Sequence, residues 1–260
     1  MLYRDLAPIS MEAWAEIDKR AEDVLKSYLS ARKVVNVIGP KGLDYNVVSE
    51  GRLNKIEEVK GVYYGIFEVL PLTESRIEFE MERWELDNIA RGAKDIDYEP
   101  LEKAMKEIAL FEDNTIYNGL QKANIKGLNE YQGTVIPFGK DPTAIMEAIT
   151  LGIIKLRNYY EASPYSLIVN EEAYKRIISK ETAYPLDKRI ETLIDGKIIL
   201  SKVINGAYLL PYNHSDLELS IGRDFSIGYQ AHSNEKIKFF ATESFTFRVL
   251  NPDLIVKYNL

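Results

Sequence analysis

Cysteine is absent from the 260-residue chain, which excludes disulfides, thiolate nucleophiles and cysteine-ligated zinc together. Histidine occurs only twice, as His214 and His232, and no Glu-x-x-His pair exists from which a helical di-iron centre could be built. Long apolar runs are missing as well: Ser166 to Val169 and Ile198 to Leu200 fall far short of the roughly 20 residues that cross a bilayer. The first twenty residues carry acidic side chains and no apolar block before a small-residue cleavage site, which reads against a secretory signal and for a cytoplasmic address. Basic excess is lacking too. Lys and Arg number 33 against 40 Asp and Glu, giving a net charge of −7, a balance that disfavours a surface built to coat nucleic acid.

The usual chemical fingerprints are also missing. There is no G-x-G-x-x-G, Walker A or G-x-S-x-G sequence, and Gly139-Lys140 lacks the second glycine and the hydroxyl residue of a phosphate loop. His214, Asp216 and Glu218 alternate as strand residues do and so share a face, but they read as a polar strand edge rather than a metal site. Carboxylate neighbours such as Glu85 with Asp87 and Glu112 with Asp113 are expected by chance among so many acids. They are read as solvated, or as ion-paired with Arg83 or Arg91. No catalytic residue and no metal ligand is assigned.

What is present belongs to a globular protein, 46% hydrophobic and 28% charged. Ser10 stands as N-cap to an amphipathic helix through Trp14, Ile17, Ala21, Leu25 and Leu29. A short β run, Val34 to Ile38, closes at Gly39-Pro40. Between Asp44 and Arg83 the pattern is β-like, with Ile77, Phe79 and Met81 alternating against Glu78, Glu80 and Glu82. Four apolar side chains there, counting Trp84, contribute ~1.5–3 kcal/mol each on burial. Ordering about 40 residues of backbone costs about 1–2 kcal/mol apiece, so this ribbon must lie on the body of the protein or on another subunit.

A second helix opens at Pro100 with Leu101, Met105, Ile108, Glu112 and Ile116 on one stripe and Gly119 as C-cap, and a third is capped by Asp141-Pro142. Shorter helices and strands follow, ending β-rich: Leu217 to Ile221, Ile237 to Phe240 and Phe245 to Val249. The order predicts an α+β fold whose last strands return to the early elements.

A collinear set of segments then stands out: Leu6-Ala7-Pro8-Ile9, Arg32-Lys33 with Val37-Ile38-Gly39-Pro40, Leu70-Pro71-Leu72, Trp84-Glu85-Leu86-Asp87-Asn88, Phe111-Glu112-Asp113, Tyr184-Pro185-Leu186, Ile227-Gly228-Tyr229 and Thr242-Glu243-Ser244-Phe245. In this order and at these spacings the chain resembles the encapsulin shell proteins, a family once described as linocin-type bacteriocins. The resemblance implies the Hong Kong 97 phage-type major capsid fold. It assigns residues 1–43 to an N-terminal helix and first P-domain part, 44–83 to an E-loop lying on a neighbour, 84–129 to the P-domain with its spine helix, 130–222 to an A-domain, and 223–260 to P-domain strands.

Function in that family is enclosure, with an icosahedral shell, here of sixty subunits, loading a cargo enzyme through the cargo's C-terminal targeting peptide. The cargo expected is a ferritin-like protein or a dye-decolourising peroxidase, for iron storage or oxidative-stress defence. The similar docking surface is luminal and points to Leu25, Arg32, Val34, Asn36, Ile227 and Phe239, Leu25 and Val34 reading equally well as core. Arg32→Glu is expected to leave shells intact but empty. Some members resemble flavoproteins, which would put FMN on Trp84 with Arg76 and Asp87; the other reading packs Trp84 between subunits, and enclosure itself requires no cofactor. Lys180, Glu181, Thr182, Ala183 and Tyr184 match the fivefold pore loop. The rival readings are a phage major capsid protein, for which a basic lumen is lacking, and a peptidase or bacteriocin, for which no residue speaks.

Overall fold

The computed structural model describes residues 2–133, 135–178 and 185–260. In chain order the elements are α1 (Met11–Tyr28), β1 (Asn36–Ile38), β2 (Val47–Leu53), β3 (Glu57–Val59), β4 (Val62–Tyr64), β5 (Phe67–Pro71), β6 (Thr73–Glu82), α2 (Arg83–Ala90), α3 (Glu99–Asn118), β7 (Val135–Pro137), α4 (Pro142–Asn158), β8 (Tyr165–Val169), α5 (Glu171–Ile178), α6 (Leu186–Ile194), β9 (Ile198–Leu200), β10 (Ala207–Pro211), β11 (Leu217–Ile221), β12 (Ser226–His232), β13 (Lys236–Val249) and β14 (Val256–Asn259). The predicted α+β class describes this arrangement, which divides into two sheets, each with its own helices.

The first sheet is organised by β13. Its residues Lys236 to Phe245 pair antiparallel with β6, while its other edge takes β12 over Ile237 to Thr242 and β11 over Phe245 to Val249. β1 joins β11 in parallel. Helices α1 and α3 lie on this sheet. Ser10 Oγ accepts from the Ala13 amide as the N-cap of α1, and Ala13, Ile17 and Ala21 follow at helical spacing as its buried stripe. On α3 the buried stripe runs Leu101, Met105, Ile108, Glu112, Ile116. Phe239 lies fully buried at the centre, stacked on Phe79 at 5.4 Å between ring centroids and meeting the edge of Trp14 at the same distance. Edge-on and offset pairs of this kind add to the burial of the rings themselves.

The second sheet runs β7-β14-β10-β8-β9 and carries α4, α5 and α6 around Ile149, Leu167, Ile190 and Leu209. A third cluster, from Val34, Ile116 and Tyr117 to Ile168, Leu219, Phe247 and Ile255, joins the two sheets. Chain crossings are close here. A Cβ on Gly39, at φ 134°, would stand 2.4 Å from the Ile221 carbonyl, so the turn after β1 requires glycine.

Three sequence expectations change at this level. The 44–83 ribbon is two objects. Residues 47–71 form short hairpins, β2 with β5 and β3 with β4, which carry the exposed apolar residues Ile56, Val62, Tyr63, Ile66 and Phe67. β6, by contrast, is a body strand with Phe79 and Met81 buried, because ten residues of pairing with β13 satisfy its backbone. The 130–222 segment also gives up its last strand to the first sheet and gains one from 223–260. β11 pairs with β13 in the first sheet, whereas β14, placed by sequence among the P-domain strands of 223–260, pairs with β10 and β7 in the second. Lastly, Ile237–Phe240 and Phe245–Val249 are not two strands but the ends of one.

Since Phe239 joins α1, β6 and β13 in a filled interior, Phe239→Ala is expected to lower the stability of the protomer by about 3–5 kcal/mol, read as an earlier urea unfolding midpoint. A midpoint unchanged from wild type would contradict this packing.

Candidate functional site: a groove over a buried charge cluster

A groove of about 620 Å³ opens beside α1. Its apolar lining comes from Ala21 and Leu25 of α1, Leu29 just after it, Met105 of α3, Ile227 of β12 and Ala241 of β13. The charged rim alternates in sign, with Arg4, Lys26 and Lys33 against Asp18, Glu22 and Asp224. Such a cleft has the character of a site for an extended, mainly apolar segment held at its edges by polar groups.

Under one end of the groove sits Arg32. Its guanidinium faces three carboxylates from three parts of the chain: Nε and Nη2 donate to Glu112 of α3, with Nη2–Oε2 at 2.6 Å, Nη2 also donates to Glu243 of β13 at 3.2 Å, and Nη1 donates to Asp224 at 2.7 Å. Glu112 and Glu243 are fully buried. Four of the five guanidinium N–H groups are thereby committed, and the guanidinium also lies 4.6 Å from the Phe225 ring centroid. Burial alone would weaken the arginine's hold on its proton, but the bond and field of Glu112, joined by Asp224 and Glu243, outweigh it and keep its pKa above the ordinary value.

One cation cannot neutralise three acids. Burial drives the Glu243 carboxyl well above the usual range, and the charge of Glu112 and a hydrogen bond with it push the same way, Arg32 opposing them. Glu243 therefore holds its proton beyond the range of an ordinary carboxylate and is bonded to Glu112 through it. Next to this cluster, Asp113 accepts from the Ser30 amide and hydroxyl and from the Ala31 amide at 2.5–3.0 Å, tying the turn after α1 to the spine of α3. Burial raises its pKa to about 6 against the pull of those bonds.

Of the six residues expected in the docking surface, Leu25, Arg32 and Ile227 meet at the groove. Val34 is buried in the cluster joining the sheets, Phe239 is buried beneath Trp14, and Asn36 pairs with Glu218 on β1, away from the groove. Val34, which the resemblance placed on the docking surface, follows the turn Ala31–Lys33 and faces the interior. Glu112 and Asp113 are not solvated acids and do not meet Arg83 or Arg91; both are fully buried and bonded to Arg32 and to the Ser30–Ala31 turn. The signal was available, because Glu112 occupies a core position of the α3 stripe. The groove also takes Leu2, Arg4 and Met105, which sequence reasoning did not select.

A family model described as an encapsulating protein for peroxidase matches residues 1–246. The type 1 encapsulin shell protein of Mycobacterium tuberculosis is 34% identical over 249 residues, covering 95% of this chain and 94% of that protein. The chain belongs to the encapsulin shell family.

Solved structures support the fold that goes with the family. The virus-like particle from Pyrococcus furiosus aligns with a TM-score of 0.67 at 17% identity, over 93% of this chain and 97% of that one. The capsid of Myoviridae phage XM1 aligns at 0.60 and 12% identity, over 89% and 92%. The encapsulin fold is thus the phage-type capsid fold.

The flavin trio of this encapsulin chain does not assemble within one protomer. Arg76 stacks on Phe240 at 3.6 Å, and the seven residues from there to Arg83 place it roughly 23 Å from the start of α2 at ~3.3 Å per strand residue. The cation over the exposed Trp84 ring is Arg91, at 5.3 Å. Trp84 and Asp87 share α2, whereas Arg76 turns to Phe240 within the protomer. The pore residues Lys180 to Tyr184 lie outside the described residues. His214 Nδ1 accepts from the Asp216 amide while Glu218 bonds Arg248 and Ser220, and among the described residues no group of three or more acids and histidines is placed to hold a metal ion. Among the described residues, too, no helix is long and apolar enough to cross a membrane.

Two outcomes follow from the charge cluster. Arg32→Glu would leave buried Glu112 without its cation and add a further acid beside it, at a cost of about 3–5 kcal/mol, so it should lower the yield of folded protein rather than give intact empty shells; full yield with normal melting would overturn the cluster's role. Because the folded pKa of Glu243 is raised, its stabilising share is present at low pH and is lost as pH climbs from about 4.5 through the raised value. Wild type should lose melting temperature relative to Glu243→Gln as pH climbs above about 4.5, whereas parallel curves would mean that Glu243 is already ionised.

Proposed function

We propose that this chain is the protomer of a closed icosahedral shell that works by enclosing an enzyme and performs no chemistry itself. The observation that carries the reading is the β2–β5 ribbon. Val59, Val62, Tyr63, Ile66, Phe67 and Val69 are exposed within eleven residues of one another, a far denser apolar surface than a free monomer normally tolerates. Among the described residues the ribbon's own strands pair only with each other, and a two-stranded ribbon is marginal alone in water. A neighbouring copy of the chain supplies the missing cover, and repetition of a head-to-tail contact about a closed set of axes gives a shell.

The relatives' names support the same reading, since those proteins are shell proteins and the matching family model is described as encapsulating a peroxidase. The groove over Arg32 is then the place where the C-terminal peptide of a cargo enzyme docks, its apolar side chains on Leu25, Leu29 and Ile227. A peroxidase is the cargo class favoured by the family description, ahead of a ferritin-like protein. A phage capsid protein shares the fold, but the net charge of −7 fits an enzyme-filled interior better than one packed with DNA.

Sixty copies of the 29.8 kDa chain make a particle of about 1.8 MDa. Native mass measurement should find that particle in wild type and a species below about 200 kDa in Tyr63→Glu/Ile66→Asp; assembly undisturbed by two carboxylates on the ribbon would remove the ribbon from the contact. Leu25 is half-buried in the groove wall, so Leu25→Asp should leave particles of full mass with cargo loading reduced at least tenfold. Full loading of that variant would move the docking site elsewhere.

A further inference from the structure

We propose that residues 2–6 form a strap over the groove, which an arriving peptide must displace before it can dock; this rests on the docking reading above. β12 is an edge strand of its sheet: β13 lies on one side of it and, among the described residues, no strand lies on the other. On that open side the Tyr229 amide donates to the Leu2 carbonyl at 2.8 Å. Backbone groups of alternate residues face the same edge of an antiparallel strand, so Ile227, which lines the groove, presents its own amide and carbonyl beside the one that Leu2 covers. The N-terminal segment thus holds one position of an edge that an extended peptide lying in the groove would use.

Three features show that the approach is built. A Cβ on Gly228 would stand 2.3 Å from the Phe240 ring and 2.8 Å from the Leu2 carbonyl, so a residue without a side chain serves both the packing of β13 and the approach of the segment. The Arg4 guanidinium stacks 3.9 Å from the Trp14 ring centroid and pairs with Asp18 at 2.7 Å, clamping the segment to the outer face of α1. Leu2 and Arg4 both line the groove. Beyond Ala7 the chain is anchored, since Ala7 and Ile9 pack on the first core and Ser10 caps α1.

The same contacts are weak enough to open. None of residues 2–6 is buried. Their hold consists of one edge hydrogen bond, one exposed cation–ring contact and one exposed ion pair, each of small net worth. Tyr3 sits at φ 52°, a region that L side chains occupy only against steric resistance. A strap closed nine times in ten would raise the apparent dissociation constant of a docking peptide about tenfold, because only the open fraction binds. Loading would then favour cargo whose peptide bonds β12 better than Leu2 does.

The test compares wild-type shells, a variant lacking residues 2–6 and Arg4→Ala, each co-expressed at limiting level with a fluorescent protein carrying the last fifteen residues of a dye-decolourising peroxidase. Both variants should load several-fold more fluorescent protein per shell than wild type, approaching tenfold. Equal loading would overturn the strap, and lower loading would do so too, by making Leu2 and Arg4 part of the docking floor. Should none of the three load, while all assemble, the docking reading fails and the strap with it. Amide exchange at Tyr229 in empty shells gives a second reading that needs no cargo. It should quicken in Arg4→Ala, and an unchanged rate would show that Arg4 does not hold the segment down.

Discussion

The contact on which most of this molecule depends is the guanidinium of Arg32 among Glu112, Glu243 and Asp224. It brings together the turn after α1, helix α3 and the central strand of the first sheet, elements up to 211 residues apart in the chain. Asp113 reinforces the junction from the next position of the same helix by accepting the amides of Ser30 and Ala31. A buried cluster of this kind contributes little net stability against a well-packed apolar substitute. Its value is geometric: hydrogen bonds have directions, so they admit one docking of α1 on α3 where an oily interface would admit several. The groove wall inherits that definition, since Leu25 stands on α1, Leu29 caps its end and Met105 stands on α3.

The ribbon depends on the junction at one remove. Ser75 Oγ donates to Glu243 at 3.3 Å, so β6 is tied to the same cluster, and the hairpins project from the end of β6. A rigid root and an apolar tip are complementary requirements. The tip must present its exposed residues to a neighbour in a fixed direction, and β6 supplies that direction through its pairing with β13.

Much of this was legible in the sequence where local chemistry and tertiary role agree. Ser10, Pro100 with Gly119, and Asp141-Pro142 mark helix ends, and those helices are present as read. The alternation of β6 gave its faces. What escaped were places where a polar residue is buried with a partner distant in sequence. Thr242-Glu243-Ser244 interrupts an apolar pattern and reads as a break between strands, yet Thr242 Oγ1 donates to the Ser75 carbonyl and Glu243 meets Arg32, so β13 runs through. Arg32 was selected as a residue facing a guest; its three acids, two of them fully buried, show it to be mainly a residue of the interior. The family resemblance supplied the fold and the idea of a groove, but could not say that Val34 and Phe239 face inward or that Arg76 turns to Phe240. Those are matters of side-chain direction.

The pairing of β6 with β13 also sets an order of events during synthesis. Lys236, the near end of β13, leaves the ribosome about 150 residues after Glu82, a delay on the order of 10–30 s at ordinary rates of translation. Throughout that interval the apolar hairpins are exposed while the strand that should orient them has no partner. Nascent chains on one messenger therefore carry sticky but unaimed tips. Correct cage closure can begin only after the carboxyl-terminal strands are made, so the last part of the polypeptide acts as a timer that releases the first part for assembly.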